Sequence, residues 1–476
     1  MKESRLNSFF LRTGCIFVLF PLFGLWQLHG QVKYPDAPYP DFTKTSNPGA
    51  QWFADAGLGL FIHWGISSVD GKGDLSWYMM DGNIGGSEPK ISPEQYWKLA
   101  EKFNPEKYDP DKWFKPVRAA GFRYVVLTTR HHDGFALWPS ASGDFSTRNF
   151  IGGRDLVKLY VDAARANGLR VGFYYSGPDW HFIRDYMNFH AWEAWEGNGF
   201  AKDPSPRELD YRYQPVHLPE RTAMEKMLWS SPLMSTHGAS DSFLIGYMAH
   251  IATQVEELLT RYGKIDILWF DGSGPAALPV ERIRELQPGI VINNRFYKGG
   301  DFTTPEDLDL KTRPQGWWEQ CACWNQGWGY KSDEKYRSLA AVLSEFVKTR
   351  AWGGNYLINV GPRPNGELPD VAYERFRGLQ DWLKYSGESV FGTEAGEWPD
   401  KCNVPSTCKP GVLYLHLLPE FREEVVVKTT SRPEQVKLLR TGAKLSYVFK
   451  DSTLRVKVPE SLRTDLVDVV AVNFRK

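Results

Sequence analysis

One unit recurs along this chain and limits what it can fold into. An amphipathic helix ends at glycine, a short apolar run follows, and the run stops at polar residues. Pro110 to Ala120 is such a helix; Gly121 follows, then Tyr124 to Thr128, then Arg130-His131-His132-Asp133. Asp155 to Ala166 leads through Gly168 to Leu169–Tyr175 and then Ser176-Gly177-Pro178. Between 242 and 262 apolar residues line one helical face; Gly263 ends it and Ile265–Phe270 runs into Asp271. Two further units lead through Ile290–Ile292 to Asn293-Asn294-Arg295 and through Tyr356–Val360 to Gly361-Pro362. Helices alternating with uninterrupted apolar strands predict a parallel sheet covered on both faces. An open doubly wound sheet would carry a glycine-rich phosphate loop, and none is present. The remaining solution is a (β/α)8-like TIM barrel, whose chemistry sits at the C-terminal strand ends. The first candidate strand, Leu58–Ile62, also ends in a polar cluster, His63-Trp64-Gly65.

After about residue 393 the pattern changes. Short alternating runs at 412–418, 424–428, 446–449, 454–458 and 467–472 predict a C-terminal antiparallel β-sandwich over 394–476, with the barrel spanning 31–393. The segment 181–240 lacks clean periodicity and reads as a long barrel loop with some helix. At the N-terminus, Lys2, Arg5 and Arg12 precede an apolar stretch too short to span a bilayer comfortably, and Gly30 offers a small residue for cleavage. Residues 1–30 therefore read as a secretory signal peptide, with an uncleaved anchor as the alternative. Export would permit disulfides, and Cys402 and Cys408 could close a short loop.

Lys plus Arg and Asp plus Glu both number 57, giving a formal net charge of +0, which argues against a nucleic-acid partner. The 19 Trp, 22 Tyr and 28 Phe suit a large core or, more pointedly, a cleft where rings stack on sugar faces. Asp271 ends its strand beside Trp269 and could act as a covalent nucleophile or merely cap the following helix. His63, His131, His132, Tyr175 and Arg295 share its level on the sheet and could fix several hydroxyls. Adjacent residues on a strand point apart, so a metal held by both His131 and His132 is disfavoured. No Cys/His spacing matches a zinc site, and no cofactor is expected. No feature specifies an oligomeric state.

GLGLFIHWG (57–65), HHDGFALW (131–138), GKIDILWFDG (263–272), INNR (292–295), GDFTTPE (300–306), WWEQC (317–321) and GGNYLINVGP (353–362) stand in this order. Together they resemble the α-L-fucosidases of glycoside hydrolase family 29, over residues from about 49 to 393. The resemblance implies retaining hydrolysis of terminal α-L-fucose from fucosylated glycans, with Asp271 as nucleophile. Either Glu306 or Glu319 would be the acid/base, Glu306 being favoured. His63, His131, His132, Tyr175 and Arg295 would hold fucose hydroxyls, and Trp77 and Trp328 would wall the pocket. Ser76 stands where many members carry glutamate, which leaves tolerance at C4 and C6, and thus α-L-galactosides, open. A non-catalytic fucose-binding barrel and a metal-dependent hydrolase are the competing classes.

Overall fold

The computed structural model describes residues 43–474 except 74, 80–90, 188, 190–220, 230–235, 237, 273–277, 296–298, 307–311 and 326. The expected signal peptide lies outside the described residues, as does much of the 181–240 segment. Within the latter a short helix, Ala223–Leu228, is closed by a reciprocal capping box between Thr222 and Glu225. Among the described residues no helix is long and apolar enough to cross a membrane.

Eight strands form one sheet: β1 Leu58–Ile62, β2 Tyr124–Arg130, β3 Arg170–Ser176, β4 Ile267–Asp271, β5 Val291–Ile292, β6 Phe302–Thr303, β7 Trp317–Cys323 and β8 Asn355–Val360. Their order is β5-β4-β3-β2-β1-β8-β7-β6, every pairing parallel. The two ends of that order meet through a parallel Asn293–Phe302 bridge and an Asp301 N–H donated to the Ile292 carbonyl at 2.8 Å. The sheet is thus a TIM-type barrel with one thin seam. The helices that cover it start where side-chain oxygens cap them: Asp155, Ser240 and Ser338 each accept a first-turn backbone N–H. The helix Asp241–Arg261 ends at Gly263, whose φ of 70° is the left-handed conformation such a terminus requires.

Two strands of the barrel escaped the pattern reading. β7 carries Glu319 and Gln320, both buried, in mid-strand, so it does not read as an apolar run. β6 is only two residues long.

The C-terminal region forms a five-stranded antiparallel sheet, β13-β16-β11-β10-β9, and a three-stranded one, β12-β15-β14. These are β9 Glu394–Ala395, β10 Ser406–Lys409, β11 Val412–Leu417, β12 Val425–Lys428, β13 Pro433–Leu438, β14 Tyr447–Lys450, β15 Thr453–Val456 and β16 Asp468–Phe474. Leu415, Val427, Val436, Leu454 and Val472 share the core between the sheets. β9, β10 and β13 were not anticipated; β13 opens on a proline, which a strand's first residue or an edge strand tolerates, and it lies at the sheet's edge. Cys402 and Cys408 are free thiols: Cys402 is buried in this core, and the Cys408 Sγ lies 3.5 Å from the Ala395 carbonyl oxygen. The Trp382 indole, on the helix Asp370–Ser386, donates to the Val467 carbonyl at 2.7 Å and ties the sandwich to the barrel.

Candidate active site

The site is built in layers up the barrel interior. Gly59 on β1 makes room for the Tyr124 ring: a Cβ there would lie 2.2 Å from it. Tyr124 donates its hydroxyl to Glu319, and the Trp269 indole donates to the other oxygen of that carboxylate at 3.0 Å. Glu319 is fully buried beneath Trp269. Burial pushes its carboxyl up to about 7, although both hydrogen bonds favour the charged form. Side chains alternate along a strand, so Trp269 and Asp271 point the same way from β4 and Asp271 stands one layer higher.

Asp271 accepts the Tyr174 hydroxyl on Oδ2 and the Arg295 guanidinium on Oδ1, each at 2.8 Å. Burial works against its charge, but Arg295, His132 and the Tyr174 hydroxyl outweigh it and hold the carboxyl at about 2. Asp271 is therefore an ionised, oriented carboxylate at neutral pH. Arg295 also donates to Thr304 through Nε, stacks over Trp269 at 4.6 Å, and forms an ion pair with Glu306. The Glu306 side chain is 48 % exposed, whereas Glu319 has no surface at all. The two glutamates that the sequence left in competition thus differ in kind. Glu306 borders Asp271 through a shared guanidinium, and Glu319 is sealed under a tryptophan.

Three histidines ring the same space. His63 Nδ1 meets Asn359 Oδ1 at 2.7 Å, while the Asn359 amide donates to the Trp328 carbonyl. That arrangement assigns the proton to Nδ1 and leaves Nε2 as an acceptor. His132 Nδ1 meets the Ser176 hydroxyl, which itself donates to the Pro178 carbonyl, so His132 has the same tautomer. Its Nε2 lies 3.8 Å from Asp271 Oδ2. Burial drives His63 and His132 down to about 4 and His131 well below its ordinary value, so all three are neutral near pH 7. Neutral imidazoles with a free Nε2 suit donor hydroxyls of a sugar.

Two expectations about these residues fail. His131 and His132 were expected to point apart, yet their rings lie 4.3 Å between centroids on one side. The β2–β3 register slips between Thr128 and Arg130, β2 ends at Arg130, and both histidines lie beyond the strand. Tyr175 was expected to meet the sugar. It faces outward instead, donating to Gln254 at 3.0 Å with Arg130 stacked on its ring at 4.2 Å. Tyr174, one residue earlier, has the inward parity. Arg295 engages Asp271, Thr304 and Glu306 in the structure.

Trp328 lies 5.0 Å from the His63 ring and 6.0 Å from Phe61; Trp77 stands edge-on to His132 at 5.5 Å. Both are half-buried and border the histidines. Ser76, at the position of the expected glutamate, is fully buried and hydrogen-bonded to His131 Nδ1. Beneath the site, buried Arg130 binds Asp179 and Gln254 at 2.8 and 2.9 Å, and the Trp180 N–H next to Asp179 holds the His132 carbonyl. His131, His132 and Asp271 place possible ligand atoms within 4.8 Å of one another. Both Asp271 oxygens are already engaged, one by a guanidinium, and a bound cation would sit beside that positive charge.

The family model described as Alpha-L-fucosidase matches residues 38–388. The chain is 28% identical to the tissue alpha-L-fucosidase of Bos taurus over 417 residues, 81% of this chain and 78% of that one. Alpha-L-fucosidase isoenzyme 1 from Paenibacillus thiaminolyticus superimposes with a TM-score of 0.70 at 30% identity, covering 90% of this chain and 99% of the other. The Thermotoga maritima alpha-fucosidase, solved with a mechanism based inhibitor, gives 0.67 at 26% identity, covering 89% and 96%. An ionised carboxylate in a histidine-lined barrel mouth, on a chain matched along most of its length, places this protein in the α-L-fucosidase family, glycoside hydrolase family 29, as a glycoside hydrolase.

Proposed function

We propose that the chain is an exo-acting, retaining α-L-fucosidase that removes terminal fucose from fucosylated glycans, with Asp271 as nucleophile and Glu306 as acid/base. The observation that carries this reading is the single guanidinium of Arg295 held between Asp271 and Glu306. Two carboxylates on one guanidinium are close neighbours, as a retaining pair separated by about 5–5.5 Å must be. A solved relative at 26% identity, the Thermotoga maritima enzyme, was captured with fucose.

Asp271 Oδ attacks the anomeric carbon while the bond to the leaving oxygen breaks and the Glu306 proton passes to that oxygen. Water then attacks the fucosyl ester, gives its proton to Glu306 and expels Asp271 as carboxylate. Glu306, the more exposed group, stands toward the mouth, where the leaving group departs. Arg295 bridges it to Asp271, so one guanidinium orients both carboxyl groups. His63 and His132 accept hydroxyl protons through Nε2. Phe61, Trp269 and Trp328 offer the apolar wall that a 6-deoxy carbon prefers. Export through the N-terminal signal completes the reading, and sequencing the mature N-terminus checks it.

Incubation with a 2-fluoro-fucosyl fluoride, digestion and peptide mass mapping tests the proposal. The fluorofucosyl mass should fall on Asp271. A label on another carboxylate, or none, overturns the assignment.

A further inference from the structure

We propose a second saccharide site on the face of the barrel opposite the catalytic pocket, selective for sugar units that carry an acidic group. A cavity of about 320 Å³ opens there between the segment before β7 and the turn before β8, lined by Arg313, Pro314, Gln315, Gly316, Trp352 and Gly353. Both segments precede their strands, and Asp271 and Glu306 lie at or beyond the C-terminal ends of theirs. The two sites are therefore separated by a strand length, roughly 20 Å at ~3.3 Å per residue.

The lining suits a pyranose. Trp352 is half-buried, its ring backed by Trp398 at 5.1 Å between centroids and 31° between planes. The Trp318 indole donates to the Trp352 carbonyl at 3.3 Å and fixes the backbone beneath the platform. A ring held this way loses little freedom when a sugar face stacks on it. The lining also sets the sign of the charge. Arg313 is exposed, has no ion pair among the described residues, and packs its guanidinium beside Gly353, where a Cβ would lie 3.6 Å from Nη2. Gln315 adds an exposed amide, and none of the described lining residues is acidic. An exposed guanidinium next to an aromatic plate matches a carboxylate or sulfate on a sugar ring, engaged through two parallel hydrogen bonds. The choice of a saccharide over other anions rests on the catalytic reading. The site's role would be to hold a polymeric or clustered glycan while the pocket on the other face releases its ends.

Affinity electrophoresis of the full chain in gels containing dextran sulfate, polygalacturonate or neutral dextran tests this. The wild type should be retarded by at least one charged polymer and not by dextran, and the retarding polymer identifies sulfate or carboxylate as the acidic group. Arg313→Gln and Trp352→Ala should each weaken that retardation at least fivefold, with turnover of an aryl fucoside unchanged. Arg313 is exposed, so its variant carries the test alone if Trp352→Ala folds poorly. Equal retardation of the Arg313→Gln variant and the wild type overturns the proposal, as does retardation by dextran alone or by nothing. None of these outcomes bears on Asp271 or Glu306, because fucoside turnover is read separately.

Discussion

Tyr174 donates its hydroxyl to Asp271 Oδ2 at 2.8 Å, and Tyr175, its neighbour, donates to Gln254 on the far side of the sheet. A hydrogen bond to a charged group contributes about 1.5–3 kcal/mol, a neutral one nearer 1 kcal/mol. Tyr174→Phe should therefore lower the unfolding free energy by about 1.5–3 kcal/mol and kcat by roughly 10- to 100-fold. Tyr175→Phe should leave kcat near wild type and lower the unfolding free energy by about 1 kcal/mol. Steady-state kinetics with denaturant melts on both variants separates the two roles, and a reversed pattern would return Tyr175 to the site.

Arg295 is the largest of the influences that keep Asp271 ionised against burial. The low-pH limb of kcat/KM caused by protonation of Asp271 should lie near pH 2, since activity falls as pH drops through the nucleophile's pKa. In Arg295→Met burial is left with weaker opposition, so that limb should move upward in pH alongside a large loss of rate. A limb that stays where it was removes Arg295 from this role.

Glu319 should report on stability with a characteristic sign. Its folded-state pKa, about 7, lies above the unfolded value of about 4.5, so between those values the folded chain holds the proton more tightly. The Glu319 contribution is fully present below about pH 4.5 and is lost as pH rises to about 7. The difference in unfolding free energy between wild type and Glu319→Gln should drift by on the order of 3 kcal/mol over that range. A flat difference would show that Glu319 is not held as a buried acid.

Arg130 and Asp179 form a pair with 0% and 4% side-chain exposure, and the loop they anchor holds His132 through Trp180. Asp179→Ala strands a buried guanidinium and should cost about 3–5 kcal/mol, read as a fall in Tm. A loss under 1 kcal/mol would mean that water reaches Arg130.

What could be read from the sequence follows from where polar residues sit relative to strands. Asp271 and His63 were legible because each follows an apolar run directly, and Arg295 because it lies three residues past one; strand-end placement is what a parallel barrel imposes. The Tyr174–Tyr175 choice turned on parity, which the paired tyrosines conceal; the inward Asp271 and the β3–β4 register, pairing Tyr174 with Trp269, settle it. The bulge that turns both histidines inward leaves no mark in composition. Glu319 stayed in competition with the favoured Glu306 because β7 was invisible as a strand, and only mid-strand placement reveals that Glu319 is enclosed.

Azide rescue tests the division of labour between the carboxylates most directly. Aryl fucoside turnover would be measured for Asp271→Gly, Glu306→Ala and Glu319→Ala with and without azide, and the anomeric configuration of any fucosyl azide determined. The expected result is an α-fucosyl azide from Glu306→Ala, a β-fucosyl azide from Asp271→Gly, and no rescue of Glu319→Ala. Rescue of Glu319→Ala with Glu306→Ala unaffected by azide would contradict the assignment of Glu306 and require the barrel interior to open to substrate.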